Sequence, residues 1–191
     1  MNTIVQRMHP FQHLMLLPHF AALSPEDLRL RFGMQMNGAL LEKYVERIDF
    51  SNDAIFGIFN EDPALLGMVH LAINPEGVFA EIGLSVLPQC RGIGYGTALL
   101  KMAALHAANC GIHTLYMRCL AENSVMIHLA QKVGLRVFME PGERGLYRWL
   151  VDSHMGTSNQ ELITGQVALV DYTVTQIRSP IPKVTPEAVQ P

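Results

Sequence analysis

Four stretches of the chain have the apolar spacing or the end signals of an α-helix. They comprise residues 22–33, 38–50, 97–111 and 123–134. In the first, Ser24 stands as an N-cap ahead of Pro25, and Gly33 marks the end of the helix. The last stretch begins with Asn123 as the predicted cap and ends at Gly134. These signals predict four helices.

Six other stretches have the length and residue types of β-strands. They comprise residues 53–59, 64–73, 78–87, 112–120, 135–140 and 144–151. The turn-rich segments 60–63 and 74–77 separate the first three, which predicts an antiparallel meander. The segment 141–143 separates the last two, which predicts a hairpin. The order of elements therefore indicates an α+β fold, a mixed sheet with helices packed on it.

The pattern changes after about residue 150. Residues 1–150 form one predicted domain, and residues 151–191 form a C-terminal extension. A capping-box pattern runs from Ser158 to Glu161 and predicts a helix over 159–178 with a loose end. Apolar residues then follow at helical spacing: Ile163, Val167, Val170, Val174 and Ile177. Their β-branched side chains favour strand instead. The extension either packs on the domain or forms a contact in a homodimer.

Composition excludes several classes of protein. Of 191 residues, 49% are hydrophobic and 16% are charged, which predicts a globular chain with a real core. A net charge of −3 argues against nucleic acid as a partner. The apolar runs are too short to span a membrane, and no secretory pattern follows Met1. Three scattered cysteines, together with histidines in no metal-ligand pattern, predict reduced thiols, no metal site and a cytoplasmic location.

Three glycines alternate at a strand-to-helix junction within residues 89–100, "QCRGIGYGTALL". The first N–H groups of a helix lack partners and carry partial positive charge, so glycines there let an anion such as a pyrophosphate approach. The spacing of Gly92, Gly94 and Gly96 fits neither the P-loop nor the dinucleotide fingerprint. A tight turn that is required for packing alone is the alternative.

This stretch resembles a known family. "QCRGIGYG" fits the pattern Q/R-x-x-G-x-G/A of the acetyl-CoA loop in the GNAT superfamily of acyl-CoA-dependent N-acyltransferases. The similarity extends to "LAENSVMIHLAQKVGL" and covers roughly residues 50–150. The segments "LSPEDLRLRF" and "AEIGLSV" are similar to bacterial protein lysine acetyltransferases of the Pat type. The resemblance implies an α/β-like three-layer GNAT fold, with a mostly antiparallel sheet of about six to seven strands and about four helices.

The resemblance also implies where acetyl-CoA binds. Its pyrophosphate would lie on the loop and the start of the helix, and its amide-rich pantetheine arm would pair with the backbone of Leu84 and Val86. The Leu84 N–H would stabilise the oxyanion. Asn123 would hydrogen-bond the cofactor, unless it is only a helix cap. The loop residues expected to contact the cofactor are Gln89, Arg91, Gly92, Gly94, Tyr95, Gly96 and Thr97.

An amine must lose its proton before it attacks the thioester, because a lysine-like amine has a pKa of about 10.4. Glu81 is the candidate base, since it matches the glutamate of the Pat-type segment. It also shares one face of its strand with Gly83 and Ser85. A carboxylate in an otherwise apolar strand is costly unless it is used or paired. A surface glutamate is the alternative, and His70 is the second candidate base.

The general acid is not assigned. Many GNAT enzymes place a tyrosine where this chain has Ala130, so Tyr116, Tyr147 or water would have to protonate the departing thiolate. The resulting prediction is direct acetyl transfer from acetyl-CoA to a primary amine, either a protein lysine or a small molecule, without a covalent enzyme intermediate. A non-catalytic acyl-CoA sensor and an interaction subunit are the alternatives.

Overall fold

The structure is a computed structural model that describes residues 4–61, 64–118, 120, 122–139 and 146–150. The predicted helix over 159–178 and the predicted homodimer contact of the C-terminal extension lie outside the described residues.

Five α-helices and seven strands make up the described part of the chain. In chain order they are β1 (Gln6–Arg7), α1 (Leu16–Ala21), α2 (Pro25–Phe32), α3 (Gly38–Glu46), β2 (Ala54–Phe59), β3 (Leu65–Ile73), β4 (Phe79–Val86), α4 (Tyr95–Asn109), β5 (Thr114–Arg118), α5 (Ser124–Lys132), β6 (Arg136–Met139) and β7 (Leu146–Leu150). Short 3₁₀ turns cover Pro10–Met15 and Pro88–Cys90. The four predicted helices and six predicted strands are all present.

Two elements, α1 and β1, were not predicted from the sequence. Helix α1 has only six residues and no side-chain cap, so it lacks the local signals of a helix start. It forms because Leu16 and Phe20, one turn apart, are both fully buried. Burying such side chains contributes about 1.5–3 kcal/mol each, which outweighs weak local propensity. The count of helices is therefore five rather than about four.

The seven strands form one mixed sheet in the order β1-β2-β3-β4-β5-β7-β6. Strands β4 and β5 are parallel, and every other neighbouring pair is antiparallel. The predicted meander β2-β3-β4 and the predicted hairpin β6-β7 are both confirmed. Strand β7 lies between β5 and β6, so the hairpin extends the sheet beyond β5.

Strands β4 and β5 separate part of the way along the sheet. Their pairing ends where Glu81 lies opposite Tyr116. Strand β4 nevertheless continues to Val86, and β5 continues to Arg118. Beyond Glu81, the edge of β4 that faces β5 therefore has no strand partner among the described pairings. Unpaired backbone groups of this kind need another partner.

Helices cover both faces of the sheet, which makes three layers. Helices α4 and α5 pack on one face, where Leu99, Leu100 and Ala130 are fully buried together with Trp149. Helices α1, α2 and α3 cover the other face, around Leu16 and Phe20. This arrangement confirms the predicted α+β, three-layer fold. The opening between β4 and β5 consequently lies between two helical layers.

Candidate active site

The alternating glycines produce a set of backbone donors at the start of α4. Gly92 and Gly94 have positive φ values of 76° and 99°, which L-residues rarely adopt. The first hydrogen bond of the helix runs from Ala98 N–H to Gly94 C=O. Among the described residues, the N–H groups of residues 92–97 have no protein acceptor. The loop therefore presents consecutive N–H donors without protein acceptors at a helix start, an arrangement that suits an anion.

Two details differ from the prediction. The Arg91 N–H does not join this set of donors, because it donates to the Pro88 carbonyl at 3.3 Å. Gly96 is closely packed: a Cβ there would lie 3.2 Å from Leu129 Cδ2, so Leu129 would have to shift. Close packing is thus a reason for glycine at one of the three positions, while the positive φ values are the reason at Gly92 and Gly94.

A cavity of about 400 Å³ opens between the loop, the unpaired edge of β4 and helices α2 and α5. The predicted cofactor-binding residues that line it are Leu84, Val86, Arg91, Gly92, Gly94, Tyr95, Gly96, Thr97 and Asn123. Gln89 does not line the cavity and is exposed in the 3₁₀ turn that precedes the loop. Nine of the residues that the resemblance assigns to cofactor binding therefore lie around one cavity. Their role in binding stays a prediction.

The Arg91 side chain lies across the mouth of the cavity. Its Nε donates to the Val86 carbonyl at 3.1 Å, and its Nη2 lies 2.9 Å from Asp27 Oδ1. Burial raises the pKa of Asp27, but hydrogen bonds from Ser24 and Arg91 outweigh burial, and the pKa lies below its usual value. The Val86 carbonyl, which was predicted to pair with the cofactor, is therefore occupied by Arg91.

Asn123 stands at the N-cap position of α5 but does not cap the helix. Its Nδ2 instead donates to the Leu30 carbonyl of α2 at 3.3 Å. The neighbouring Glu122 forms an ion pair with Arg29 of α2 at 2.5 Å. These contacts join α2 to α5 across the opening between β4 and β5. Asn123 thus closes one side of the cavity while it faces the interior.

Glu81 lies at the last position where β4 pairs with β5, and it does not line the cavity. It is exposed, so the argument that a buried carboxylate must be used or paired does not apply to it. His70, the second candidate base, is buried and also lies outside the cavity lining. Its ring nitrogens are both engaged, one by Asp53 and one by Tyr44. Both ring nitrogens of His70 thus have partners within the protein.

His70 belongs to a buried chain of polar groups that reaches the cavity. His70 Nε2 lies 2.9 Å from Asp53 Oδ2, and its Nδ1 lies 2.8 Å from the Tyr44 hydroxyl. Arg31 Nη2 donates to that hydroxyl at 3.1 Å. A carboxylate only accepts and a guanidinium only donates, so with a neutral His70 imidazole the hydrogens point from Arg31 towards Asp53. Burial raises the pKa of Tyr44, which keeps its hydroxyl protonated.

Ser85 and His19 form a second buried pair beside the cavity. His19 Nδ1 lies 2.8 Å from the Leu65 carbonyl, so this nitrogen carries the hydrogen. Its Nε2 therefore accepts from the Ser85 hydroxyl at 2.8 Å. Burial lowers the pKa of His19, which keeps the imidazole neutral. Ser85 lines the cavity, and the hydrogen bond to His19 of α1 holds its side chain in place.

Among the residues whose side chains the structure describes, neither Ala130 nor the candidate acid Tyr116 lines the cavity. Ala130, at the position where the resemblance predicts a tyrosine, is fully buried in the core. Tyr116 packs edge-on against Phe79, with 5.3 Å between ring centroids, and does not line the cavity. The Tyr147 side chain lies outside the described residues. Tyr95 is the tyrosine found among the described lining residues.

Several lining residues were missed by reasoning from the sequence. Helix α2 contributes Asp27, Leu30 and Arg31, whose i, i+3, i+4 spacing places them on one helix face. That spacing was visible in the sequence, but nothing local indicated that this face meets β4. Ser85 was noticed only as a neighbour of Glu81, and no local signal linked it to His19, 66 residues earlier.

Comparison with known proteins agrees with this geometry. A profile of the acetyltransferase (GNAT) family matches residues 23–135, more than half of the chain. The chain therefore belongs to the GNAT acetyltransferase family, and transferase activity is the coarse assignment that follows. Within the described residues, no group of three or more His, Cys, Asp or Glu is placed to hold a metal ion. None of the described helices combines the length and apolarity of a membrane span.

Solved structures share the fold. The GNAT domain of S. lividans PAT matches with 20% identity and a TM-score of 0.62, over 76% of this chain and 88% of that one. Spermidine N-acetyltransferase from Vibrio cholerae, solved with CoA and spermine, matches with 18% identity and a TM-score of 0.58, over 80% and 97% of the two chains. A GNAT acetyltransferase from Streptococcus pneumoniae matches with 15% identity and a TM-score of 0.56, over 78% and 98%.

Proposed function

We propose that this protein is an N-acetyltransferase that transfers an acetyl group from acetyl-CoA to a primary amine by direct attack. The observation that carries the proposal is the set of free N–H groups of residues 92–97, which opens into the same cavity as the unpaired edge of β4. Those donors suit a pyrophosphate. The unpaired strand edge suits the amides of a pantetheine arm, which pair with it as a further strand would.

In this arrangement, each part of the cofactor meets a different part of the chain. The pyrophosphate lies on the start of α4, and the pantetheine runs along Leu84 and Val86 towards Glu81. The Arg91 side chain leaves the Val86 carbonyl when the arm binds, and its guanidinium turns to the phosphates. The Leu84 N–H faces the thioester carbonyl and stabilises the negative charge on its oxygen during attack.

The reaction needs one proton acceptor and one proton donor. The amine nitrogen bonds to the acetyl carbon, the carbon–sulfur bond breaks, and Glu81 takes the proton from the nitrogen. Because Glu81 is exposed, it can pass that proton to bulk water. Water protonates the thiolate of CoA, whose pKa of about 8.5 makes it an adequate leaving group without a dedicated acid. Ala130 therefore does not prevent catalysis.

Incubation with acetyl-labelled acetyl-CoA tests the proposal. The acceptors are a panel of amines and a cell lysate, and the readout is where the label goes. The variant Glu81→Gln is expected to lower kcat/KM by about 10²–10⁴-fold while CoA affinity is unchanged. The control is Glu76→Gln, since Glu76 is an exposed carboxylate in the turn before β4 and should have no effect. Equal activity of the two variants would show that Glu81 is not the base.

A non-catalytic acyl-CoA sensor is the second candidate. The fully buried Ala130 favours it, because the side chain that many relatives use as an acid is missing. Tight binding of CoA without label transfer to any amine, in the unmodified protein, would establish this alternative. Label transfer that depends on Glu81 would exclude it.

A further inference from the structure

We propose that Arg31 forms a carboxylate subsite, so that the preferred acceptor is a small amine with a carboxylate close to its amino group, such as an apolar α-amino acid. This inference rests on the proposed function, because it assigns the substrate class of the same cavity. It concerns the acceptor and not the cofactor.

The guanidinium of Arg31 lies directly on the backbone of β4. A Cβ at Gly83 would overlap the guanidinium, so Arg31 can occupy its present position only while residue 83 has no side chain. Gly83 has an ordinary strand conformation, and its backbone does not itself require glycine. The bare strand surface therefore serves to seat Arg31 between Glu81, the candidate base, and Ser85 on the same face of β4.

The Arg31 guanidinium uses only part of its hydrogen-bonding capacity within the protein. Nη2 donates to the Tyr44 hydroxyl, which fixes the position of the guanidinium through His70 and Asp53. The Nε atom is buried and has no partner. A buried donor without an acceptor is costly, and a guanidinium is built to hold a carboxylate with two parallel hydrogen bonds. Because Nε has almost no accessible surface, an acceptor carboxylate would bind at Nη1, which is not buried and has no hydrogen bond to a described residue.

The charges around the cavity favour the same class of acceptor. Among the described lining residues, the cations are Arg31, Arg91 and Lys132, and the carboxylate is Asp27. Asp27 already forms an ion pair with Arg91. No described carboxylate lies within ion-pair distance of Arg31. The charge of Arg31 therefore has no carboxylate to balance it, so it would repel a polyamine placed beside it and attract the carboxylate of a zwitterion.

The remaining lining explains the choice of an apolar probe. Leu23 and Leu30 on the α2 side and Met117 on β5 contribute apolar surface to the cavity. An amino acid such as leucine can place its carboxylate on Arg31 and its amine towards Glu81. The leucine side chain can then pack against this apolar surface. Leucinamide has the same skeleton without the negative charge and is the matched probe.

The experiment compares leucine, leucinamide and spermidine as acceptors for the unmodified protein and for Arg31→Gln. The measured quantity is the ratio of kcat/KM for leucine to that for leucinamide. This ratio is compared between the variant and the unmodified protein, so the intrinsic reactivity of each amine cancels. We expect Arg31→Gln to lower the ratio by about 10- to 100-fold, the usual effect of a hydrogen-bonded charge. Arg31→Lys should retain part of the preference for leucine, because lysine keeps the positive charge but cannot donate two parallel hydrogen bonds to one carboxylate.

The control is Arg29→Gln, which removes a cation from the same helix, where it is paired with Glu26 and Glu122. It should leave the ratio unchanged. Calorimetric titration of leucine and leucinamide into the CoA complex repeats the comparison without turnover. Thermal unfolding and CoA affinity show whether each variant is folded.

The possible failures are distinguishable. CoA binding with transfer to spermidine or leucinamide, and no Arg31-dependent preference for leucine in either assay, overturns the carboxylate subsite and leaves the proposed function intact. An equal loss of kcat for all three amines in Arg31→Gln also overturns it, because Arg31 would then act on the thioester. Failure of CoA to bind the unmodified protein overturns the proposed function.

Discussion

Replacing Gly94 with alanine tests whether the loop conformation exists to bind the cofactor. Gly94 has φ = 99° and immediately precedes the first turn of α4. A Cβ at this position would meet nothing within 4 Å, so the substitution introduces no steric clash inside the protein. Its effect comes from the backbone alone.

The magnitude follows from that backbone geometry. An L-residue in the left-handed region costs about 1–2 kcal/mol relative to glycine. Because residues 91–94 are exposed, the loop of the free protein can relax to avoid this cost. Binding a pyrophosphate requires the original conformation, so the cost reappears on binding. We therefore expect the Kd for CoA to rise by about 5- to 30-fold in Gly94→Ala.

Isothermal titration with CoA measures this effect, and thermal unfolding monitors stability. The matched control is Gly77→Ala in the turn between β3 and β4. Gly77 has φ = 69°, is exposed, and would also place a Cβ in open space. It does not line the cavity, so its substitution should change stability without changing the Kd.

The reasoning is refuted if Gly94→Ala and Gly77→Ala bind CoA with the same affinity as the unmodified protein. In that case, the donors of the loop would not contribute to cofactor binding. A loss of affinity in both variants would also refute it, because the effect would then be a general consequence of lower stability.

Three further outcomes are expected. Burial lowers the pKa of His19 below 6.5, so the unfolded chain takes up the proton more readily and the stability of the fold decreases as the pH drops below that value. Thermal unfolding from pH 5 to 8 should show a weaker pH dependence for His19→Asn. The control variant His113→Asn, at an exposed position, should keep the dependence. Asp27→Asn removes the ion pair that holds Arg91 across the cavity, so calorimetry should show CoA affinity raised by up to about fivefold, and a decrease would contradict this. Gly83→Ala should displace the guanidinium that lies on it and abolish the preference for leucine at unchanged CoA affinity; a retained preference would contradict the carboxylate subsite.

Prediction from the sequence succeeded where the signals were local. The start and end of α2 depend on Ser24, Pro25 and Gly33, and each acts within one turn of its own position. The glycine loop was recognised for the same reason, since Gly92 and Gly94 determine the backbone conformation where they stand. Such features are encoded over a few residues and do not depend on packing.

Local reasoning failed where a side chain found a distant partner. Asn123 has the residue type and position of a helix cap, yet its amide bonds to Leu30, 93 residues earlier in the chain. Glu81 was expected to be a carboxylate in an apolar strand, but its side chain is exposed in the fold. In both cases the packing of whole elements, which the local pattern does not record, determines the environment of the side chain.

The order of helices and strands, the anion-binding turn and the family therefore follow from the sequence alone, because periodicity, caps and glycine geometry are local properties of a chain. The opening between β4 and β5 and the position of α2 over it follow only from the tertiary structure. That packing brings Arg31 onto Gly83 and joins it to Asp53 through two intervening side chains. The shape and charge of the acceptor site result from contacts between residues far apart in sequence, which no local pattern records.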